Sequence, residues 1–539
     1  MLVTVRNRPP VGYRLTAAIV EQIAAAAAQV QAELRRHPRA IAYEYTKGPG
    51  RWQVSWFSAG AKQKELLQVY IDDATGKVTE VWTGFQVAWT MARGYAGAFG
   101  RRVNAVYVWL PLCALFLAPF VPWRRRDGRR RWSLFAVDLL MLLGFSASLA
   151  LFNHGRIGLS VALVYPFLLY LLARMLLLAW RKGVPREPLQ LAVPATWLAV
   201  AVVFLVGFRV GLNVTNSNVI DVGYAGVIGA HKLLAGQPLY GSWPYDNANG
   251  DTYGPVDYYA YVPAYLAFGW SGVWDQLPTA HAAAIAFDLL TLLGLFLLGR
   301  RIRGPTLGTV LAYLWAAYPF TLWTLSSNTN DTLVALLVVV ALLVITSAPA
   351  RGVVGALAGM TKLAPLALAA LLARGVGPAW PRKRALAAFA VAYAVTLAVV
   401  MVPVLLDDNL HAFWHDSIAY QAGRVTPFSV WGLWGGLGLE QHLVEAAAVA
   451  LAIGCALLPR RRDTIEVAAL GAAVLIALQL SANYWLYSYI VWFYPLVIVA
   501  LAASHPPLPR SGGVDGASGR RTQAPAPARS TALASARLP

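Results

Sequence analysis

Charged side chains are scarce in this 539-residue chain: Asp, Glu, Lys and Arg form 13% of it, whereas soluble proteins contain about 25%. The only two cysteines, Cys113 and Cys455, lie in apolar stretches, which excludes a disulfide framework and a cysteine-based metal cluster. Hydrophobic residues form 58% of the chain, which excludes a disordered protein. Acidic residues number 25 against 45 basic ones, but a basic excess in so apolar a chain argues against nucleic acid as a partner. The composition predicts a polytopic membrane protein.

The first hundred residues have a different character. Residues 15–36 are rich in alanine with scattered Glu and Gln, which predicts an amphipathic helix. The segments 52–57, 66–72 and 77–82 alternate and are punctuated by the turn signal DDATG, which predicts two or three antiparallel strands. We therefore expect a small α+β domain over residues 1–102, without a standard signal peptide before it.

Apolar segments follow from residue 103, each close to the roughly 20 residues that a helix needs to cross a bilayer. They are 104–122, 132–151, 157–180, 189–210, 279–299, 305–325, 331–348, 353–373, 385–405, 442–458, 465–482 and 485–503. The chain shows no internal repeat, so an inverted-repeat transporter is not supported.

The connecting loops predict how the chain crosses the membrane. The basic runs are RRRDGRRR (124–131), RKGVPR (181–186), RRIR (300–303), RKR (382–384) and RRR (460–462). Short basic loops stay in the cytoplasm, but segment 353–373 has basic residues on both flanks. Gly359, Lys362 and Pro365 can divide it into two half-helices. We therefore predict that it enters and leaves from the cytoplasmic side.

This topology places residues 1–103, the loop 211–278, the corner 326–331 and the loop 406–441 outside the cell (plasma) membrane. The tail 506–539, rich in Pro, Gly, Ser, Ala and Arg, is predicted to be disordered and cytoplasmic.

The outer loop carries the most informative polar residues. Residues 222–234 predict an amphipathic helix that ends at Gly236, with Asp221 at its N-terminus. Asp221 is either a simple helix cap or a functional carboxylate. The aromatic stretch 256–270, interrupted by Pro263, is predicted to lie along the outer surface.

Several motifs in this region resemble a known family. IDVGYAGVIGAHKLLAGQPLY (220–240) and TYGPVDYYAYVPAYLAFG (252–269) are similar to the first external loop of GT-C membrane glycosyltransferases. The closest resemblance is to glycosyltransferase family 87, the polyprenyl-phosphate-mannose-dependent α-mannosyltransferases. It covers roughly residues 190–505, and further matching stretches are 326–343, 355–372, 413–435 and 484–496. WQVSWFSAGAKQKELLQVYIDDATGKVTEVWTG (52–84) resembles PepSY-type domains, small modules often found outside the membrane.

The resemblance implies a mainly α, polytopic GT-C fold of about 12–13 membrane helices with an α+β N-terminal domain. Residues 1–102 would form the PepSY-like domain, 103–188 additional transmembrane helices, 189–505 the transferase core and 506–539 the tail. The activity that the resemblance implies is inverting transfer of a hexose, namely mannose, from a polyprenyl-phosphate donor to an extracytoplasmic glycan or lipid acceptor. The bilayer is then a further partner.

The same resemblance assigns roles to individual residues. Asp221 matches the acidic residue of the family's first loop and would act as general base; Asp246, Asp251 and Asp257 compete with it. Arg424 and Lys362 are candidates for the donor phosphate, although Arg424 is alternatively a solvated charge and Lys362 a side chain that reaches the headgroups.

Four further residues complete the predicted substrate site. Asp331 would contact sugar hydroxyls or a metal, or merely cap the helix that follows it. Tyr253 would stack on sugar or lipid. His415 and Tyr420 lie close to Arg424 in sequence and would belong to the same substrate site. No ligand spacing specifies a metal, so dependence on a divalent cation stays open. Asp288 is expected to pair in the protein interior.

Two other classes of function compete with a transferase. A transporter or lipid flippase would have paired ionisable residues at mid-membrane in several helices. A PepSY-linked membrane sensor or scaffold would have an inactive core.

Overall fold

The computed structural model describes residues 1–60, 63–94, 99–121, 133–180, 188–377, 382–424, 426–459 and 462–506. The basic loops 124–131 and 181–186 and the tail beyond 506 lie outside the described residues, as do the predictions made for them.

A four-stranded antiparallel sheet with two helices forms the N-terminal domain. Its elements are α1 (Ala17–Ala25), α2 (Ala28–Arg36), β1 (Ile41–Thr46), β2 (Arg51–Phe57), β3 (Glu65–Asp72) and β4 (Val78–Thr83), with sheet order β1-β2-β3-β4. Alternate residues of β2 and β3, among them Trp52, Val54 and Val69, pack against the buried side chains of the two helices. The predicted α+β domain and its strands β2 to β4 are confirmed.

Two details of this domain differ from the prediction. The predicted single helix over 15–36 is wrong because the chain breaks between Ala25 and Ala28. The run of five alanines there gives no local signal for a break, since alanine favours helix strongly. Strand β1 was not predicted; it lies at the sheet edge and only Glu44 in it is buried.

A short link joins the sheet to the membrane helices. It contains α3 (Phe85–Ala88), a 3-10 helix at Thr90–Arg93 and a second one at Arg101–Asn104.

The remainder of the described chain is helical. Its α-helices are α4 (Val106–Leu117), α5 (Leu134–Asn153), α6 (Ile157–Trp180), α7 (Ala195–Asn216), α8 (Asp221–Leu234), α9 (Pro255–Phe268), α10 (Pro278–Arg303), α11 (Pro305–Ala317), α12 (Pro319–Ser326), α13 (Asp331–Leu343), α14 (Ala348–Gly359), α15 (Ala369–Arg374), α16 (Lys383–Leu406), α17 (Leu410–Phe413), α18 (Tyr420–Gly423), α19 (Val430–Leu433), α20 (Gly438–Leu457), α21 (Thr464–Ser481) and α22 (Ile490–Ala503). Short 3-10 helices lie at Ala118–Phe120, Tyr245–Asn247, Ala364–Leu368 and Tyr487–Tyr489, and a π-helix at Trp414–Ala419.

Seven of the described helices are long and apolar enough to cross a membrane: α5, α6, α7, α10, α16, α20 and α21. Each of the other predicted segments also contains helix, but the helices there are shorter or broken. Segment 305–325, for example, divides at Tyr318 because Pro319 begins a new helix. The protein is therefore a mainly α, multi-pass membrane protein.

Segment 353–373 forms the predicted hairpin. Helix α14 ends at Gly359, and the chain turns over Met360–Leu363 into the 3-10 helix and α15. Near the start of the hairpin, the Arg351 Nε donates a hydrogen bond of 2.7 Å to the Leu372 carbonyl near its end. The two ends therefore lie together, and the tip with Lys362 points to the opposite end of the bundle.

Other basic residues lie at the same end of the bundle as Arg351. Arg301 donates a hydrogen bond to the Leu343 carbonyl at the end of α13. Arg462 pairs through its backbone with Gly377, just after α15. Arg301, Arg351 and Arg462 thus share one face, as predicted for their segments. The loops 124–131 and 181–186 lie outside the described residues, and that this face is cytoplasmic stays a prediction.

Helices α8 and α9 form an antiparallel pair at the opposite end. Gly226 and Gly229 of α8 lie directly against the rings of Tyr261 and Tyr258 of α9, so the absence of a side chain lets the helices approach. The predicted helix over 222–234 is confirmed, and Gly236 follows it with a positive φ of 64°.

Asp288 pairs in the interior, as expected. The Arg209 Nη2 lies 2.5 Å from its Oδ1, and both side chains are buried. Trp315 donates a hydrogen bond of 2.9 Å to the same carboxylate, so the pair joins α7, α10 and α11.

Candidate functional site

A cavity of about 700 Å³ lies at the end of the bundle opposite the basic residues. Five of the predicted site residues line it: Asp221, Tyr253, Asp331, Lys362 and Arg424. They come from α8, the loop before α9, the start of α13, the hairpin tip and the end of α18. The fold thus gathers residues that span two hundred positions of sequence.

Lys362 is fixed at the tip of the hairpin. Its Nζ lies 2.5 Å from Asp331 Oδ1, and Trp492 Nε1 donates to the same oxygen at 2.8 Å. The Nζ also lies over the rings of Tyr253 and Trp492, at 5.3 Å from each centroid. The alternative that Lys362 reaches the headgroups is wrong, because its side chain is only 9% exposed and ion-paired.

Asp331 does not cap a helix. It is the first residue of α13, whose N-cap is Asn330, and no side chain caps that helix. Its carboxylate instead accepts hydrogen bonds from Lys362 and Trp492.

Arg424 is held by aromatic rings rather than by a carboxylate. Its Cζ lies 4.2 Å from the ring centroid of Tyr484 and 5.5 Å from those of Tyr420 and Trp89. Its Nε is buried without a hydrogen-bond partner, and no carboxylate in the described part of the chain forms an ion pair with it. The guanidinium is therefore available to an anion that enters the cavity.

Asp221 is the first residue of α8 rather than its N-cap, which is Ile220. The side chain of Asp221 is exposed, and the space that it faces is the cavity. The surrounding protein, which displaces water, raises the pKa of this carboxyl, while the Val222 N–H, Arg424 and Lys362 lower it. The net rise makes Asp221 a better proton acceptor than an ordinary aspartate.

None of the three competing aspartates lines this cavity. Asp246 is exposed and accepts a hydrogen bond of 3.2 Å from the Tyr224 hydroxyl. Asp251 lines a separate pocket of about 140 Å³, and its Oδ2 accepts a hydrogen bond from the Gly241 N–H. Asp257 is fully buried in the first turn of α9.

The structure does not bring His415 and Tyr420 into the cavity lining. His415 is exposed, and its Nδ1 lies 2.6 Å from Asp416 Oδ1. Tyr420 lines the separate small pocket with Asp251 and Asp416, although its ring also faces Arg424.

Sequence reasoning missed several residues of the cavity. Tyr489 and Trp492 lie three residues apart, and their rings, stacked at 4.1 Å, both face Lys362. The sequence signal that could have found them is the spacing of three residues, which places two side chains on the same face of a helix. Gln441 and Glu445, hydrogen-bonded to each other at 3.2 Å, also line the cavity.

An apolar arm continues from this polar end. Small and apolar side chains of the hairpin, α20 and α21 line it: Leu363, Ala364, Ala367, Ala370, Ala448, Val449, Ala452, Ile453, Val474 and Leu478. From Gln441 to Ile453 the lining follows α20 for about 18 Å, given a rise of about 1.5 Å per residue. Val449 and Ile453 are exposed, so the arm opens sideways from the bundle.

No cluster of three or more His, Cys, Asp or Glu side chains suited to a metal occurs among the described residues. Dependence on a divalent cation therefore stays open.

Comparison with known families adds to this geometry. Residues 252–502 match the model of glycosyltransferase family 87. The match covers slightly less than half of the chain and, together with the apolar helices, indicates a membrane glycosyltransferase. No curated protein and no solved structure matches the chain.

The family 87 match contains Tyr253, Asp331, Lys362 and Arg424 but begins after Asp221. The role of Asp221 thus depends on its position in the cavity and on the resemblance of residues 220–240. The match does not reach the N-terminal domain, so its resemblance to PepSY-type domains stays a prediction.

Proposed function

We propose that this membrane glycosyltransferase moves mannose from polyprenyl-phosphate mannose to a glycan or lipid acceptor at the outer face of the plasma membrane. The observation that carries the proposal is the form of the cavity. Its polar end holds Asp221 and Arg424, which forms no ion pair with a described residue, and its other end is a lateral apolar arm.

This form fits an amphiphilic donor. The prenyl chain would occupy the apolar arm, where its burial removes hydrocarbon from water. The phosphate would meet Arg424, whose planar fork of N–H donors suits phosphate oxygens. The sugar would then lie at the polar end, close to Asp221 and Asp331.

The reaction follows from these positions. Asp221 accepts the proton of an acceptor hydroxyl while that oxygen attacks the anomeric carbon. The bond from this carbon to the phosphate oxygen breaks, and the electron pair leaves with polyprenyl phosphate. Arg424 stabilises the charge that develops on the phosphate. A single displacement from the opposite face inverts the anomeric configuration.

Lys362 and Asp331 have a different part in this scheme. Because they neutralise each other, neither is a free ion in the way Arg424 is. The Asp331 oxygen that Lys362 and Trp492 leave free is the group available to sugar hydroxyls. The pair therefore orients the sugar, and Lys362 fixes the hairpin tip against α13.

The test is transfer by purified protein in lipid vesicles, with radiolabelled polyprenyl-phosphate mannose and candidate acceptor glycans. Asp221→Asn should lower kcat by about 10²- to 10⁴-fold, the usual contribution of a general base. Asp246→Asn is the matched control, because it removes an exposed carboxylate of the same loop that does not line the cavity.

Unchanged transfer by Asp221→Asn would remove it as the base. Transfer from a nucleotide sugar but from no polyprenyl-phosphate sugar would refute the donor class. Retention of the donor's anomeric configuration in the product would refute the single displacement. Binding of polyprenyl phosphate without any transfer would favour the scaffold alternative.

The transporter alternative expects paired ionisable residues within several membrane helices. Two such pairs occur, Asp138 with Arg174 and Arg209 with Asp288, but neither lines the cavity, and Arg209 is in addition hydrogen-bonded to the Ala316 carbonyl. The pair that does line the cavity, Lys362 with Asp331, lies at the hairpin tip and the start of α13 and not within one of the seven long apolar helices.

A further inference from the structure

The link between the N-terminal sheet and the membrane helices reaches the candidate site. Met91, in the 3-10 helix of this link, lines the cavity. Two residues earlier, the Trp89 ring lies 5.5 Å from the Arg424 guanidinium carbon. Of the three rings that surround Arg424 among the described residues, Trp89 is the one that comes from outside the membrane helices and their loops.

The link is attached firmly to the sheet. Arg93 is only 6% exposed, and its Nη2 donates a hydrogen bond to Gln68 Oε1 of β3. Its Nε donates to the Gln86 carbonyl at 2.8 Å, and its guanidinium lies 5.3 Å from the Trp82 ring of β4. Arg93 thus joins α3 and the 3-10 helix Thr90–Arg93 to the sheet.

The link is attached equally closely to the membrane helices. Trp89 meets the buried ring of Phe428 edge to face, with centroids 5.5 Å apart. A Cβ added at Gly94 would lie 2.1 Å from the Gly155 nitrogen between α5 and α6. The backbone of the link therefore packs directly against the turn between α5 and α6.

The consequence for Arg424 is electrostatic as well as steric. An aromatic face attracts a cation without neutralising it, and the attraction is largest where water is excluded. Three rings therefore hold the guanidinium in place while its charge stays available to an anion. A carboxylate in the position of Trp89 would instead neutralise the positive charge of the guanidinium by forming an ion pair with it.

We propose that Trp89 is a positioning residue that holds Arg424 for the donor phosphate, so the N-terminal domain is a structural part of the donor site. The positioning depends only on the contacts of Arg424, whereas its effect on the donor rests on the function proposed above. Loss of the Trp89 ring should raise the KM for donor by about tenfold. Because Arg424 also stabilises the charge that develops on the leaving phosphate, kcat should fall as well, whereas the KM for acceptor should stay near its wild-type value.

The experiment has two readouts on the full-length protein in vesicles. The first is the rate at which phenylglyoxal, an arginine reagent, modifies Arg424, measured by mass spectrometry of the peptide that contains it. The second is the pair of steady-state constants for polyprenyl-phosphate mannose. Trp89→Leu should raise both the modification rate and the donor KM, and Trp89→Phe should restore both, because phenylalanine keeps an aromatic face.

Phe85→Ala is the control. Phe85 belongs to the same link, but it is 40% exposed and does not line the cavity. It should change neither readout. If Trp89→Leu does not fold, Trp89→Phe is compared with a ring-fluorinated phenylalanine at this position, which keeps the shape and removes the negative face.

Unchanged reactivity of Arg424 in Trp89→Leu, or in the fluorinated variant, would overturn the proposal. Equal losses in Trp89→Leu and Trp89→Phe would also overturn it, since packing alone would then explain them. If wild-type protein transfers no sugar while the Arg424 reactivity still follows the ring at position 89, the proposed function fails and the positioning role stands.

Discussion

Asp257 is a buried carboxyl whose replacement should change how stability depends on pH. It lies in the first turn of α9, outside the membrane-spanning helices, and is 0% exposed. Neither of its oxygens forms a hydrogen bond with a described residue. Burial raises the pKa of Asp257 from 3.8 to about 7, with smaller opposing effects of Asn330 and Lys362 and a further rise from Asp331.

The sign and size of the effect follow from linkage. Between the unfolded pKa of 3.8 and the folded pKa of about 7, the folded protein holds a proton that the unfolded chain releases. The free energy of unfolding therefore falls as pH rises through this window, and it is flat above the folded pKa. The full shift corresponds to about 4 kcal/mol, of which about 2.5 kcal/mol falls between pH 5 and pH 8.

Asp257→Asn removes the titrating group and keeps the shape. We expect wild-type protein in detergent to lose about 2.5 kcal/mol more unfolding free energy between pH 5 and pH 8 than this variant does. The measurement is an SDS unfolding titration at both pH values, followed by tryptophan fluorescence. Asp246→Asn, which removes an exposed carboxylate, should behave as wild type. An unaltered pH dependence in Asp257→Asn would refute the reasoning.

Two further predictions concern packing around the site. Lys362→Met should lower the free energy of unfolding by about 3–5 kcal/mol, because it leaves the buried Asp331 carboxylate unpaired. In thermal unfolding, the double variant Lys362→Met/Asp331→Asn should recover most of this loss. A Lys362→Met variant as stable as wild type would contradict the role of the pair. Gly229→Ala should destabilise by about 1–3 kcal/mol, because the new Cβ would lie 2.1 Å from the Tyr258 ring. Gly211→Ala, where a Cβ would meet nothing within 4 Å, should leave the unfolding temperature unchanged or slightly higher; equal effects of the two glycine variants would exclude the steric explanation.

Hydropathy and charge were sufficient to locate the apolar helical segments and the hairpin. The hairpin at 353–373 was predictable because basic residues flank a segment that contains Gly359 and Pro365. The bounds of α7 were not predictable, since this helix continues to Asn216, six residues beyond the apolar segment 189–210. Asn213 in this extension is buried and donates to the Leu325 carbonyl at 2.8 Å. Hydropathy counts such an amide as polar because it cannot register the distant partner.

The candidate site was predictable as a set of residue types and not as an arrangement. Its charged members were visible because ionisable residues are rare in the apolar part of the chain. The pairing of Lys362 with Asp331 needs the hairpin tip to reach the start of α13, 31 residues away. The rings that surround Arg424 come from positions 89, 420 and 484, and no local pattern joins them.

The charges that remain unpaired in the cavity suit the proposed reaction in a specific way. With Asp331 neutralised by Lys362, the other charged groups of the described cavity lining are Asp221, Glu445 and Arg424, and in the proposed reaction Asp221 and Arg424 act on the donor as one negative and one positive group. A donor phosphodiester carries one negative charge, and the released phosphate monoester approaches two. The proton that Asp221 accepts offsets this second charge, so the total charge in the cavity is the same before and after transfer. In surroundings that exclude water, a reaction that creates no net charge avoids a large electrostatic cost. Arg424 lowers the pKa of Asp221, and in the proposed reaction it also faces the phosphate, so the proposed base and leaving group are coupled through one guanidinium.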